Sequence, residues 1–173
     1  MKRIVIIGSS CSGKSTFAKR LSEKLELKHC ELDQLHWLPN WQERPDTDFR
    51  ELVTNVVSSE HWVIDGNYAT ARDIVWPRAT QIIWLNHSFR LVLFRAFKRS
   101  IVRAFTKEKV CAGNIETFRH AFLSRDSIIL WVLKTFHQKR KLYRHMLAEQ
   151  QTGGVEVVEL TTQNHVDEYL ESV

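Results

Sequence analysis

Cysteine is scarce in this 173-residue sequence: Cys11, Cys30 and Cys111 are odd in number, scattered and without a C-x-x-C spacing. That excludes a disulfide framework or a cysteine zinc site and points to a reducing compartment, the cytoplasm. Long apolar runs are also missing. The longest, residues 128–133, falls far below the roughly 20 residues a membrane helix needs. Nothing at the N-terminus resembles a signal peptide, because strand-like sequence begins at once. The eight histidines show no H-x-x-x-H pairing and receive no role. No internal repeat, low-complexity tract or Gly/Ser linker divides the chain, so residues 1–173 are expected to form one domain. With 43% apolar and 26% charged residues, its composition is ordinary for a globular protein.

Acidic charge is depleted in one half. Residues 90–145 hold 14 Lys and Arg against 3 Asp and Glu, whereas the remainder holds 11 against 17, for an overall +5. A basic half marks a solvated helix face, a phosphate-rich ligand or nucleic acid.

The most specific stretch is Gly8-Ser9-Ser10-Cys11-Ser12-Gly13-Lys14-Ser15, followed by Thr16, which matches G-x-x-x-x-G-K-[ST] at every fixed position. Its flanks supply the required context. Ile4, Val5, Ile6 and Ile7 read as a buried parallel strand, and Phe17, Leu21 and Leu25 fall on one helix face. A strand, a glycine loop and a helix N-terminus make an anion site, since loop N–H groups and the helix dipole both favour negative charge. Residues 8–16 are therefore expected to cradle the phosphates of ATP. Lys14 would reach the β- and γ-phosphates and the Ser15 hydroxyl would hold Mg²⁺.

Strand-like and helix-like segments then alternate, which argues for a parallel α/β architecture. The pattern predicts strands at 28–32, 62–66, 81–85 and 155–160 and helices at 46–58, 89–105, about 121–150 and the C-terminus, where Asn164 suits an N-cap. Residues 34–45, with Trp37, Trp41 and two prolines, read as a loop or broken turn. Within a helical segment at 89–150, the turn signal Cys111-Ala112-Gly113-Asn114 marks an insertion at about 106–120, expected to be either a mobile lid or a plain helical hairpin.

Two acids fall where parallel strands end, the place at which open α/β sheets bind ligands. Asp65 precedes a glycine as a magnesium-supporting acid would. Asp33 suits equally a turn or cap and a group that accepts a proton from a hydroxyl nucleophile. Arg95, Arg99 and Arg103 share one helix face, and cationic groups there could meet the oxygens of a transferring phosphoryl group. Trp37 and Trp41 lie beside Asp33 and could stack on a ligand.

The P-loop segment, together with Glu31-Leu32-Asp33-Gln34-Leu35-His36-Trp37, Pro39-Asn40-Trp41, Trp62-Val63-Ile64-Asp65-Gly66-Asn67-Tyr68, Ile83-Trp84-Leu85, Gly113-Asn114-Ile115-Glu116 and the stretch 122–131, resembles the small P-loop kinases known as DNA topology modulation or adenylate-kinase-like proteins. The resemblance covers nearly the whole chain. It implies a nucleoside monophosphate kinase type of fold: a P-loop NTPase α/β/α sandwich, with a five-stranded parallel sheet ordered 2-3-1-4-5 and a helical lid insertion. It also implies that Arg95 stacks on the base, that Arg99 reaches phosphates, and that residues 161–166 approach the adenine. Asn86 and Thr80 stand where such proteins often carry acids.

These residues point to a Mg²⁺- and ATP-dependent kinase acting on a small acceptor, a nucleotide or nucleoside among the candidates. Lys14, Asp33, Arg95 and Arg99 would carry the chemistry, and Ser15 and Asp65 the metal. The alternative is a nucleic-acid-associated ATP-binding protein, which the basic half and the resemblance allow although no DNA-binding motif is present. N-K-x-D and Leu-Ser-Gly-Gly signatures are absent, so a GTPase switch or transporter subunit ranks last.

Overall fold

The computed structural model describes residues 1–106, 109–115 and 127–173. Strand β1 (Lys2–Gly8) carries four consecutive buried aliphatics, Ile4 to Ile7, and so needs cover on both faces. A central position in a parallel sheet provides it. The sheet has five strands in the order β2 (His29–Glu31), β5 (His61–Asp65), β1, β6 (Gln81–Leu85) and β7 (Glu156–Leu160), all parallel. Counting these five along the chain gives 2-3-1-4-5, as expected. The register pairs Ile6 with Asp65 and Gly8 with Leu85, so the loops leaving β1, β5 and β6 open on one edge.

Alternation along the strands assigns each residue to a layer. Ile4 and Ile6 pack with Phe17, Leu21, Val166 and Leu170 beneath α1 (Lys14–Leu25) and α7 (Gln163–Ser172). Val5 and Ile7 pack on the opposite face with Phe49, Val53, Trp84 and Tyr143, under α3 (Asp46–Val57), α4 (Arg72–Val75) and α6 (Ile128–Thr152). A third cluster, Val92, Ala96, Ile129, Val132 and Phe136, joins α5 (Phe89–Thr106) to the start of α6. The result is an α/β/α sandwich bearing a helical insertion between β6 and β7. Among the described residues, no helix is long and apolar enough to cross a membrane.

Three local expectations change. The strand expected at 28–32 stops at Glu31, and buried Leu32 begins a short helix, α2 (Leu32–His36). Asp33 therefore sits in a first helical turn rather than at a strand end. The expected loop at 34–45 is ordered instead: α2 leads into a small antiparallel hairpin of β3 (Trp37–Leu38) and β4 (Gln42–Glu43), turned by Pro39–Trp41 with Asn40 at φ +62°. At the last helix Thr162, not Asn164, is the N-cap, its hydroxyl accepting the His165 N–H at 3.2 Å. Of the insertion expected at 106–120, residues 109–115 form a turn closed by a bridge between Lys109 and Ile115. Residues 107–108 and 116–120, like the expected helical stretch 121–126, lie outside the described residues.

Candidate active site

The glycine loop runs from the end of β1 to the start of α1. Gly8 is required sterically, because a Cβ there would lie 2.8 Å from the Leu85 carbonyl oxygen. Gly13 caps α1 with φ +96°, a left-handed conformation that glycine adopts at little cost, and Cys11 takes φ +62°. The Ser12 N–H bonds back to Ser9 O at 3.2 Å, and the first intrahelical bond runs from Phe17 N to Gly13 O at 3.0 Å. The N–H groups of the first turn have no helical acceptor, which makes the concavity an anion site. Gly8 is buried at its base; Ser9, Ser10, Cys11, Gly13, Lys14 and Ser15 are half-buried around it, Ser12 is fully buried, and Thr16 is exposed one residue further along α1.

Lys14 folds over this loop and donates to Ser9 O at 2.9 Å. Burial pushes its ammonium below the usual lysine range, while the charges of Asp33 and then Asp65 hold it up. A desolvated cation in this position gains from an incoming anion more than a solvated lysine would.

Asp65, almost fully buried at the end of β5, uses both oxygens. Its Oδ2 accepts from the Ser15 hydroxyl at 2.6 Å, and its Oδ1 pairs with His29 Nε2 at 3.0 Å. The sheet register explains the second contact: His29 pairs with Val63, so its side chain shares a face with Asp65 two residues on. Glu31 lies opposite Asp65, and burial followed by the Asp65 charge raises its carboxyl above the usual range. Among the described residues no three-ligand protein cluster exists. The set nevertheless fits Mg²⁺, which commonly keeps waters and takes only one or two protein oxygens beside substrate phosphates.

Asp33 projects from α2 toward the same edge. It accepts from the Tyr68 hydroxyl at 2.7 Å, and the Trp37 indole N–H hydrogen-bonds Tyr68 in turn. Burial, then the Asp33 charge, raises the phenol well above its ordinary pKa, so Tyr68 remains a donor. His36 packs between Tyr68 (4.4 Å between ring centres), Trp37 (5.0 Å) and Phe49 (5.2 Å), while Trp37 and Trp41 meet edge to face at 5.7 Å. Buried Asn114 fastens this shelf to the insertion. It accepts the Trp41 N–H at 3.0 Å and donates to Leu38 O at 2.9 Å and Cys111 O at 2.8 Å.

From the other side α5 brings in two of the expected arginines. Arg95 donates to Ser12 O at 2.8 Å and to Gln163 Oε1 at 2.7 Å, bridging the glycine loop and the segment 161–166. Arg99 approaches the Cys11 sulfur at 3.9 Å. Asn86, where an acid was a common alternative, is bonded to Glu159 and ties β6 to β7.

Four contributors escaped the sequence reading: His29, Tyr68, Asn114 and Lys139. Lys139, on α6, is pushed down by burial and by the Lys14 charge and held up by Asp33, so it belongs to the same electrostatic neighbourhood. It also lies 5.0 Å over the Trp131 ring. Tyr68 and Asn114 stand in recognisable motifs that assign them no role. His29 and Lys139 need strand register or helix packing to be found.

Five parallel strands in this order, with a glycine loop running from β1 into α1, define the P-loop NTPase fold. Solved structures agree. The chain aligns over 99% of its length with 90% of a shikimate kinase from Acinetobacter baumannii in complex with shikimate, at 14% identity and a TM-score of 0.61. It aligns over 98% with 87% of a gluconokinase from Sinorhizobium meliloti 1021, at 18% identity and a TM-score of 0.54. In sequence, 127 residues (73% of the chain) are 31% identical to a GTP:AMP phosphotransferase from Plasmodium falciparum (isolate 3D7). The chain spans about half of that protein, 51%. No family model matches the chain.

Proposed function

We propose that this chain is an ATP- and Mg²⁺-dependent phosphotransferase that moves the γ-phosphoryl group onto a hydroxyl of a small acceptor. One observation carries the reading. A P-loop lysine and serine converge with two acids, Asp65 at the end of β5 and Asp33 in the first turn of α2: Ser15 on Asp65 at 2.6 Å and Lys14 beside both. The names of the similar proteins, a GTP:AMP phosphotransferase, a shikimate kinase and a gluconokinase, support small-molecule kinase chemistry.

Residues 8–16 hold the triphosphate through loop amides, and Lys14 neutralises the β- and γ-oxygens. The Ser15 hydroxyl and Asp65, itself oriented by His29, hold the magnesium side. That ion, when bound, neutralises charge between the β- and γ-phosphates. Asp33 accepts the proton of the acceptor hydroxyl as its oxygen bonds to the γ-phosphorus and ADP leaves. Arg95 and Arg99 offset charge on the transferring group and keep the loop in place. Residues 1–173 act as one kinase domain. Three free thiols suit the reducing cytoplasm.

Calorimetry with ATP and Mg²⁺, followed by an ADP-release screen over small hydroxyl compounds, tests the assignment. ATP binding with acceptor-dependent ADP release is the expected result. Failure to bind any nucleoside triphosphate would refute it.

A further inference from the structure

On the phosphotransferase reading above, charge on the acceptor side limits which hydroxyl compounds fit. Between β2 and β6 the chain carries four arginines and no lysine. Each arginine is committed to a protein group. Arg44 Nε donates to Leu35 O at 2.6 Å. Arg50 grips Asp73 through two bonds of 2.8 Å and also donates to Thr70 O. Arg72 donates to Asn67 Oδ1 at 3.1 Å with its guanidinium 5.5 Å from the Trp76 ring centre, and Arg78 lies 3.7 Å from Glu60.

A phosphate group bound as part of an acceptor is met by forks of guanidinium donors or by ammonium groups. This segment turns the opposite chemistry toward the site. Asp33 is exposed there with its Oδ1 engaged by Tyr68, and Glu31 adds a second carboxyl close enough to feel the Asp33 charge. Beside them stand the Tyr68, Trp37 and Trp41 rings. The nearby cations, Lys14 and Lys139, feel the Asp33 charge but come from the glycine loop and α6, outside this segment. Lys14 bonds Ser9 in the glycine loop, and Lys139 lines a small cavity with the same Ser9.

We infer that the acceptor is a hydroxyl compound with no phosphate group of its own. It donates a hydroxyl to Asp33 and lays a planar or apolar face on Trp37 and Trp41. A nucleoside monophosphate would place a dianion against two carboxylates with no cation of this segment to receive it.

The test uses the full chain saturated with Mg²⁺ and a non-hydrolysable ATP analogue, titrated by calorimetry with matched pairs: adenosine and AMP, cytidine and CMP, inositol and inositol 1-phosphate. The unphosphorylated member of at least one pair should bind tenfold or more tighter than its monophosphate. Asp33→Asn should narrow that ratio by relieving the repulsion, and Tyr68→Phe should weaken the unphosphorylated compound about tenfold with little change for the analogue. A monophosphate bound as tightly as its parent, or no response to any unphosphorylated compound, overturns the acceptor class. Failure of the analogue itself to bind is a separate result and strikes the phosphotransferase reading.

Discussion

Replacing Asp65 with asparagine tests whether the Ser15–Asp65–His29 chain serves the metal or only braces the sheet. The change keeps the shape of the side chain and removes its charge. In the wild type, Asp65 accepts from Ser15 at 2.6 Å and pairs with His29 at 3.0 Å, and it is 4% exposed. A hydrogen bond to a charged group contributes about 1.5–3 kcal/mol and a neutral one about 0.5–1.5. Converting both bonds from charged to neutral should therefore cost about 1–3 kcal/mol. For a chain of this size that lowers Tm by about 2–12 °C. If Asp65 also orients the metal shell, the apparent Mg²⁺ affinity should fall by roughly 10- to 100-fold, as for other groups that hold a metal's ligands. Thermal shift measured over a magnesium titration at fixed ATP separates the two effects, and raised Mg²⁺ should restore part of the turnover. A lower Tm with an unmoved magnesium midpoint would reduce Asp65 to a structural brace and refute the assignment.

Lys14→Ala should abolish ATP binding in calorimetry yet leave Tm unchanged or slightly higher, because burying its charge opposes folding. Asp33→Asn should retain ATP binding while losing turnover, as expected of a group that acts on the acceptor; normal single-turnover rates would demote it to a helix-turn residue. Arg95→Ala and Arg99→Ala should each lower kcat by about a hundredfold or more, the scale at which phosphoryl-transfer arginines act. Asn114→Ala removes two hydrogen bonds that join the Trp41 shelf to the insertion and one within its turn, so amide exchange at 109–115 should speed up and acceptor KM should rise more than kcat falls.

The sheet was legible because β1, β5 and β6 are short, largely aliphatic runs, the first ending in a glycine motif and the second in Asp65-Gly66, and its order followed from the resemblance. The P-loop was legible because its fixed positions are steric and electrostatic requirements of the loop itself. Gly8 has no room for a Cβ, and Gly13 sits in the left-handed region. What escaped was long-range. His29 is 36 residues from Asp65, and nothing local links them; only the parallel register of β2 on β5 sets the two side chains on one face. Tyr68 meets Asp33 across 35 residues, and Asn114 holds Trp41 across 73. The hairpin at Trp37–Glu43 was read as irregular because strands of two residues give no periodicity, and tertiary bonds from Asn114 help to define it.

The basic half illustrates a limit on reading charge from a tally. Residues 90–145 are strongly cationic, which a nucleic-acid surface and a phosphate site would both produce. The two differ in where the cations point. A surface that tracks a phosphate backbone needs many interchangeable cations on one exposed face. On α5, Arg95 instead reaches the Ser12 carbonyl inside the glycine loop and Arg99 reaches Cys11. The outward line of the same helix is Phe94, Phe97, Ile101 and Phe105, with Phe105 80% exposed and Phe94 64%. An apolar outer stripe and inward arginines are the reverse of what duplex binding requires. Arg95 and Arg99 are therefore better explained by the phosphates of one bound nucleotide than by those of a nucleic acid, while Arg90 and Lys98 of the same helix stay exposed.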